Sequence, residues 1–253
     1  IQMLREYYMV GGMPEAVNVF IETNDANSVR EVQREILLAY KNDISKHTTK
    51  EQSHRIAMVW NSMPSQLSKE NKKFLYGVVK KGGRAKEFEL AIQWLIDAGL
   101  IIKVGRVTTP SMPLKVYEDL SAFKLYLLDV GLLGAMAEIN PVQLLLPNNM
   151  KESKGMFTEN FVCTQLATQF NSSLFYYSKE NSTLEIDFFV QKETQIIPIE
   201  VKAELNVKSK SLSTILQNNE EMFGVRFSMN QYRQQEKIVN LPLYCAEVYF
   251  KED

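Results

Sequence analysis

Three carboxylates and one lysine in the second half of the chain have the types and spacing to do chemistry. Asp187 lies in an apolar run over residues 184–190, and Glu200-Val201-Lys202 lies in the next one, over residues 196–203. Both read as strands, whose side chains alternate between faces. In the first, Leu184, Ile186, Phe188 and Val190 take one face, and Glu185, Asp187 and Phe189 the other. In the second, Ile197, Ile199 and Val201 share a face, and Glu200 and Lys202 the opposite one. Paired as a hairpin, the two strands set Asp187 beside Glu200. Adjacent carboxylates repel unless positive charge sits between them. Lys202 supplies some, and a divalent cation would supply more. Carboxylate oxygens suit Mg2+, which polarises a phosphate and acidifies a bound water. A nearby lysine orients that water or steadies developing negative charge. Phosphodiester cleavage is the chemistry this set can do.

A further carboxylate fits the pattern. A helix is expected over residues 151–170, and on it Glu159 shares an apolar stripe with Val162 and Leu166. A buried glutamate needs a partner, and a metal, its water or Lys202 could provide one. Glu-x-Lys by itself is weak, because it recurs at Glu70-Asn71-Lys72 and Glu152-Ser153-Lys154 in polar surroundings. Only the copy at residue 200 lies in an apolar strand preceded by an Asp-bearing one. The competing reading is a salt-bridged cluster in a strand pair, since structural ion networks mimic sites.

The elements that must position these groups follow from periodicity. Helices are expected over residues 1–65, broken at Gly11-Gly12-Met13-Pro14. One helix carries Val29, Val32, Ile36, Leu37 and Tyr40, capped by Asp25 or Asn27; a later one ends at Pro64. Residues 66–140 read as helix, a turn at Gly82-Gly83, and an amphipathic helix with Phe88, Ala91, Ile92, Leu95 and Ile96 on one face. Two strands follow, over residues 100–107 and near 123–128. That order is the order of a winged helix. Residues 138–150 are loop-like and mark a boundary. The remainder, residues 141–253, reads helix, strands at 174–178, 184–190 and 196–203, a helix at 209–217, and strands at 225–228 and 243–250. The fold class is α+β or α/β.

Composition narrows the function. The 253 residues carry a net charge of -1, so any nucleic-acid surface must be a local patch. The densest basic run is Lys69, Lys72, Lys73, Lys80, Lys81, Arg84 and Lys86. Of these, Lys80, Lys81 and Arg84 are the candidate phosphate contacts, and a solvated helix face is the alternative. The most apolar stretch, residues 125–137, is too short to cross a bilayer and contains Asp129. Cys163 and Cys245 in apolar surroundings read as buried free thiols of a reducing cytoplasm. His47 and His54 are seven residues apart and do not form a zinc pair on one helix turn. Met58, Trp60, Phe74 and Trp94 fall at core spacings. The first residues look like the middle of a helix and lack an initiator Met, as in a fragment of a longer protein.

Several stretches carry a resemblance. They are Gly11-Gly12-Met13-Pro14-Glu15-Ala16-Val17, the run over residues 123–133 that ends Leu128-Asp129-Val130-Gly131-Leu132-Leu133, and Gly155-Met156-Phe157-Thr158-Glu159-Asn160-Phe161-Val162. Glu185-Ile186-Asp187-Phe188, Ile197-Pro198-Ile199-Glu200-Val201-Lys202, Ser209-Lys210-Ser211-Leu212 and Asn240-Leu241-Pro242-Leu243-Tyr244 complete them. In this order they resemble the C-terminal half of bacterial and archaeal AAA-type ATPases that end in a domain of unknown function. The resemblance implies a P-loop ATPase domain before residue 1, which would hold the ATP. It also implies a winged-helix-like linker and a terminal domain of the PD-(D/E)xK, restriction-endonuclease-like fold. Its acidic helix position maps to Glu159, its metal-binding Asp to Asp187, and its Glu-x-Lys to Glu200 and Lys202. Mg2+ as cofactor and DNA as partner follow, and an oligomer is compatible. One departure is Gln165, where a glutamate is common. The chain itself has no Gly-x-x-x-x-Gly-Lys-[Ser/Thr] run, so no ATP site is expected within it.

Overall fold

The computed structural model describes residues 1–146, 154–171, 173–204 and 210–251. The expected helix start at residues 151–153 and Ser209 lie outside them. The chain is α+β and divides into two compact units: Ile1–Ile102 with Leu125–Phe161, and Lys103–Lys124 with Val162–Asp253.

The first unit is helical. Its helices are α1 (Gln2–Val10), α2 (Pro14–Thr23), α3 (Ala26–His47), α4 (Lys50–Leu67), α5 (Tyr76–Val79), α6 (Ala85–Asp97), α7 (Val130–Met136) and α8 (Pro141–Leu145). The start of α3 is set as expected: the Asp25 carboxylate accepts from Asn27 N at 3.2 Å and Ser28 N at 3.0 Å. Pro64 does not end α4, which continues to Leu67. Proline in this last turn removes a single donor, and buried Met63 and Leu67 hold the turn in place. Residues 141–145, expected as loop, form α8, opened by Asn140 accepting from Val142 N at 2.9 Å. No helix among the described residues is long and apolar enough to cross a membrane.

Two of the sequence stretches meet in this unit. Gly12 N donates to Asp129 Oδ2 at 2.6 Å, and Leu132 N donates to Oδ1 at 2.8 Å. Asp129 thus caps α7 and holds the α1–α2 turn with one carboxylate. Gly11 has φ +74°, and a Cβ there would collide with Asp129. A Cβ on Gly131 would sit 2.5 Å from Val10 O and 2.6 Å from Gln33 Nε2. Gln33 in turn donates to Met9 O at 2.8 Å and Val10 O at 2.9 Å.

The second unit is built on a sheet in the order β2-β1-β3-β4-β5-β6-β8-β7. The strands are β1 (Ile101–Val107), β2 (Glu118–Leu127), β3 (Phe175–Ser178), β4 (Glu185–Lys192), β5 (Gln195–Lys202), β6 (Gly224–Ser228), β7 (Arg233–Gln235) and β8 (Ile238–Pro242). The ends of β1 and β2 run into the first unit. Helices α9 (Lys154–Gln169) and α10 (Lys210–Asn218) complete the set. The helix–turn–helix–hairpin order is present, but β1 is not the edge of an isolated wing. It also pairs in parallel with β3, Gly105 opposite Phe175. The C-terminal strand expected over residues 243–250 is absent. Leu243–Glu247 is a 3-10 turn in which Leu243 and Ala246 are buried three residues apart, the spacing of a 3-10 helix rather than a strand. The last hairpin is β7–β8 instead.

Strict alternation also fails within β4. Phe175 faces Phe189, whereas Tyr177 faces Ile186, so β4 takes three steps where β3 takes two. Asp187 and Phe188 occupy this β-bulge-like irregularity. Ile186 and Phe189, expected on opposite faces, therefore join one apolar cluster with Val107, Phe175, Tyr177, Ile196 and the α10 residues Leu212, Ile215 and Leu216.

Asp129→Asn is expected to lose one of the two side-chain oxygens that accept from backbone N–H groups, at a cost of about 1–3 kcal/mol, and Gly131→Ala to cost about the same through overpacking. Burial also raises the Asp129 pKa against the opposing effect of its backbone hydrogen bonds. The folded state then holds a proton that the unfolded state has released, just above the usual Asp value of about 4. Stability from this group should therefore fall as pH rises through that window, and Asp129→Asn should remove that part of the slope. Denaturant unfolding across pH checks both; an unchanged slope in Asp129→Asn would contradict the assignment.

Candidate functional site

The Asp187 and Glu200-Lys202 segments come together in the second unit. Strands β4 and β5 form an antiparallel hairpin, with Phe188 opposite Ile199 and Lys192 opposite Gln195. Just beyond Phe188, the Val201 N–H donates to Asp187 Oδ2 at 2.8 Å. The carboxylate of one strand thus binds the backbone of the residue between Glu200 and Lys202. The irregularity in β4 makes this reach available, because residues at a bulge are re-aimed. Lys202 Nζ lies 2.5 Å from Glu200 Oε1. Those two residues share a face, as alternation along β5 requires. Glu200 is buried, while Asp187 and Lys202 are half-buried.

Glu159 has other partners. Its carboxylate receives Lys72 Nζ at 2.6 Å and the Tyr126 hydroxyl at 3.2 Å, all within the first unit. The lysine side chain is 7% exposed and the glutamate side chain 13%. The apolar stripe correctly marks Glu159 as withdrawn from water, but the partner expected to be a metal, its water or Lys202 is Lys72 with Tyr126. Lys72 is correspondingly buried and does not belong to a solvated basic face. Thr158 and Asn160 beside it are also engaged. Thr158 Oγ1 accepts from Tyr8 Oη at 3.4 Å, and Asn160 pairs with Leu127 N and O at 2.8 and 3.0 Å. No spacing rule reveals such partners, which come from distant parts of the chain.

Sequence reasoning missed a row of buried polar groups along the sheet. In the parallel strands β5, β6 and β8, Glu200 aligns with Arg226, and Arg226 with Asn240. Lys202 aligns with Ser228. Ser228 Oγ lies 2.9 Å from Asn240 Oδ1, and Asn240 Nδ2 donates to Gln231 O at 2.9 Å. The available signal was Val225-Arg226-Phe227-Ser228, an arginine inside an apolar strand. A second cluster gathers around Glu185. Lys124 Nζ, almost fully buried, lies 2.5 Å from Glu185 Oε1 and 4.7 Å from the centre of the Tyr176 ring. Burial pushes the Tyr176 phenol up to about 12. Arg106, in register with Tyr176, donates to Asp119 Oδ2 at 3.3 Å and Ser178 O at 3.1 Å.

The other sequence candidates are placed as follows. Lys80, Lys81 and Arg84 are exposed in the turn between α5 and α6. His47 and His54 are exposed. Neither cysteine is in a disulfide; Cys163 is buried and Cys245 half-buried. Gln165 follows Glu159 on α9 and is half-buried. Among the described residues, no three His, Cys, Asp or Glu side chains are grouped to hold a metal ion. Asp187 and Glu200 are two carboxylates on paired strands, and Mg2+ is commonly bound by one or two carboxylates with water and phosphate oxygens.

Removing one partner of a buried ion pair strands the other, at a cost of about 3–5 kcal/mol. Glu159→Gln and Lys72→Met are each expected to lose most of that amount. The double variant should recover part of it, as read by denaturant midpoints. A double-mutant cycle with no coupling would refute the pairing.

Two family models match parts of the chain. Residues 1–143 match the family described as Domain of unknown function (DUF8612). Residues 154–246 match the one described as Domain of unknown function (DUF4143). The first match covers more than half of the chain, so the chain belongs to the DUF8612 family. No curated protein and no solved structure matches it.

Proposed function

We propose that this member of the DUF8612 family is the C-terminal part of an AAA-type ATPase, with a second unit that is a PD-(D/E)xK nuclease-like module acting on DNA phosphodiesters with Mg2+. The order of the quoted sequence stretches supports the ATPase part, including a P-loop domain ahead of residue 1 and a cytoplasmic setting. The observation that carries the nuclease part is the junction of Asp187 with the Glu200-Val201-Lys202 backbone. It brings the Asp187 carboxylate to the backbone between Glu200 and Lys202, at the open end of a hairpin. In this reading Asp187 and Glu200 would hold a Mg2+ ion, which would supply Lewis-acid activation of water and phosphate, and Lys202 would stabilise negative charge that develops on the phosphate. Glu159 stays a structural acid bound to Lys72.

A second reading has its own support. Two carboxylates, Asp187 and Glu200, share their surroundings with two cations, Lys202 and Arg226. Positive charge beside two carboxylates offsets their repulsion without a metal. In this reading the same unit, with the helix–turn–helix part, binds nucleic acid or a protein partner for the ATPase without cutting. Exposed Lys80, Lys81 and Arg84 would then take phosphates.

Calorimetric titration with Mn2+ or Mg2+ separates the two. The cutting reading expects saturable binding that falls at least tenfold in Asp187→Asn, with nicking of plasmid DNA lost in the same variant and in Lys202→Met. Asp187→Asn keeps an oxygen acceptor for Val201 N–H, so its fold should survive. Nicking that persists in Asp187→Asn, or wild-type protein that binds neither ion, would end the cutting reading.

A further inference from the structure

The side chain of Arg226 is an exception among the buried and half-buried cations named above in the second unit. Lys124 has Glu185, Lys202 has Glu200, and Arg106 has Asp119 and Ser178. Arg226 is 4% exposed, yet no side-chain hydrogen bond or ion pair holds it among the described residues, and its Nε is buried without an acceptor. Its register neighbours are Glu200 on β5 and Asn240 on β8. Glu200 is engaged by Lys202, and the Asn240 amide is engaged by Ser228 and Gln231. Burial pulls the guanidinium pKa below its ordinary value, and the charge of Glu200 only partly offsets this.

A buried guanidinium without acceptors is costly. Groups of this kind persist where a ligand completes them, and a planar fork of donors matches a phosphate. We infer that Arg226 is the phosphate-binding residue of the Asp187–Glu200–Lys202 site, taking two non-bridging oxygens of a nucleic-acid phosphodiester. This rests on the phosphodiester reading for its substrate, but not on metal binding or cutting. The neighbouring cation Lys202 lies on the same polar row, so a phosphate held by Arg226 would be presented beside the carboxylate pair. Arg226 then fixes the substrate, and the groups on β4 and β5 act on it or merely flank it.

The test uses the whole chain, without divalent metal, and a fluorescent 20-base-pair duplex read by anisotropy across salt concentrations. Pyrophosphate serves as a competitor, to separate a nucleic-acid phosphate from a free one. Arg226→Gln should weaken duplex binding about tenfold and lower the salt slope by about one. Arg226→Lys, which keeps the charge but loses the fork, should recover only part of the affinity. The thermal midpoint of Arg226→Met should be unchanged or higher, since no internal bond is lost. A ligand-free structural role predicts the opposite, a lowered midpoint with unchanged affinity. The inference is overturned if wild type binds no duplex, if Arg226→Gln binds as tightly as wild type, or if pyrophosphate alone depends on Arg226. Loss of duplex binding in Arg226→Gln together with no Mn2+ binding would sink the cutting reading and leave Arg226 standing. Mn2+ binding with unchanged duplex affinity in Arg226→Gln would do the reverse.

Discussion

A carboxylate withdrawn from water must find hydrogen-bond donors, and much of this chain is arranged around that requirement. Asp129, Glu159 and Glu200 are wholly or largely removed from solvent and Asp187 is half-buried, and all of these but Glu200 are held by groups from another part of the sequence. Asp129 is bound by the backbone of the α1–α2 turn and of α7. Glu159 is bound by Lys72 and Tyr126, Asp187 by the backbone of Val201, and Glu200 by Lys202. Desolvation makes each acid expensive on its own. Where its partner lies on another segment, a paired acid fixes the distance between the two far more tightly than apolar contact does, because a hydrogen bond has a length and a direction. The helical unit is pinned at Asp129 and Glu159, and the β4–β5 pair at Asp187.

The legible parts of the sequence were those where local periodicity decides the outcome. The break at Gly11-Gly12-Met13-Pro14, the Asp25 cap, the amphipathic α6 and the three strands β3, β4 and β5 all lie where the pattern puts them. Alternation along β5 correctly put Glu200 and Lys202 on one face. The illegible parts were set by long-range pairing. The end of α4 was misplaced because buried Met63 and Leu67 outweigh one missing donor at Pro64. Residues 243–250 were read as a strand because their apolar content is high, although the buried positions recur at three rather than two. Glu159 was recognised as needing a partner, but nothing in the local sequence points to a lysine 87 positions earlier.

The candidate site shows the same division. The three residues were found from their types and strand parity, and Asp187 does reach the Glu200–Lys202 segment. Parity alone could not foresee the irregularity that lets it do so, since a slip of one residue is invisible in an apolar run. Arg226 was overlooked because it stands alone between apolar neighbours, without a second charged residue to form a motif. Its significance comes only from the sheet order, which brings β6 beside β5 and leaves the arginine without an acceptor of its own.

The extra residue in β4 gives this unit an unusual sensitivity to chain length. Ile186 and Phe189 reach the same apolar cluster only because three steps of β4 are matched to two of β3. Deleting one residue between them would restore a regular ladder and leave the cluster composition almost intact. It would also withdraw the Asp187 carboxylate from Val201 and dissolve the junction of the two chemical segments. Among relatives of this chain, a one-residue gap at this point of the strand would therefore separate proteins that retain the Asp187–Val201 junction from proteins that retain only the sheet, even where every surrounding apolar residue is the same.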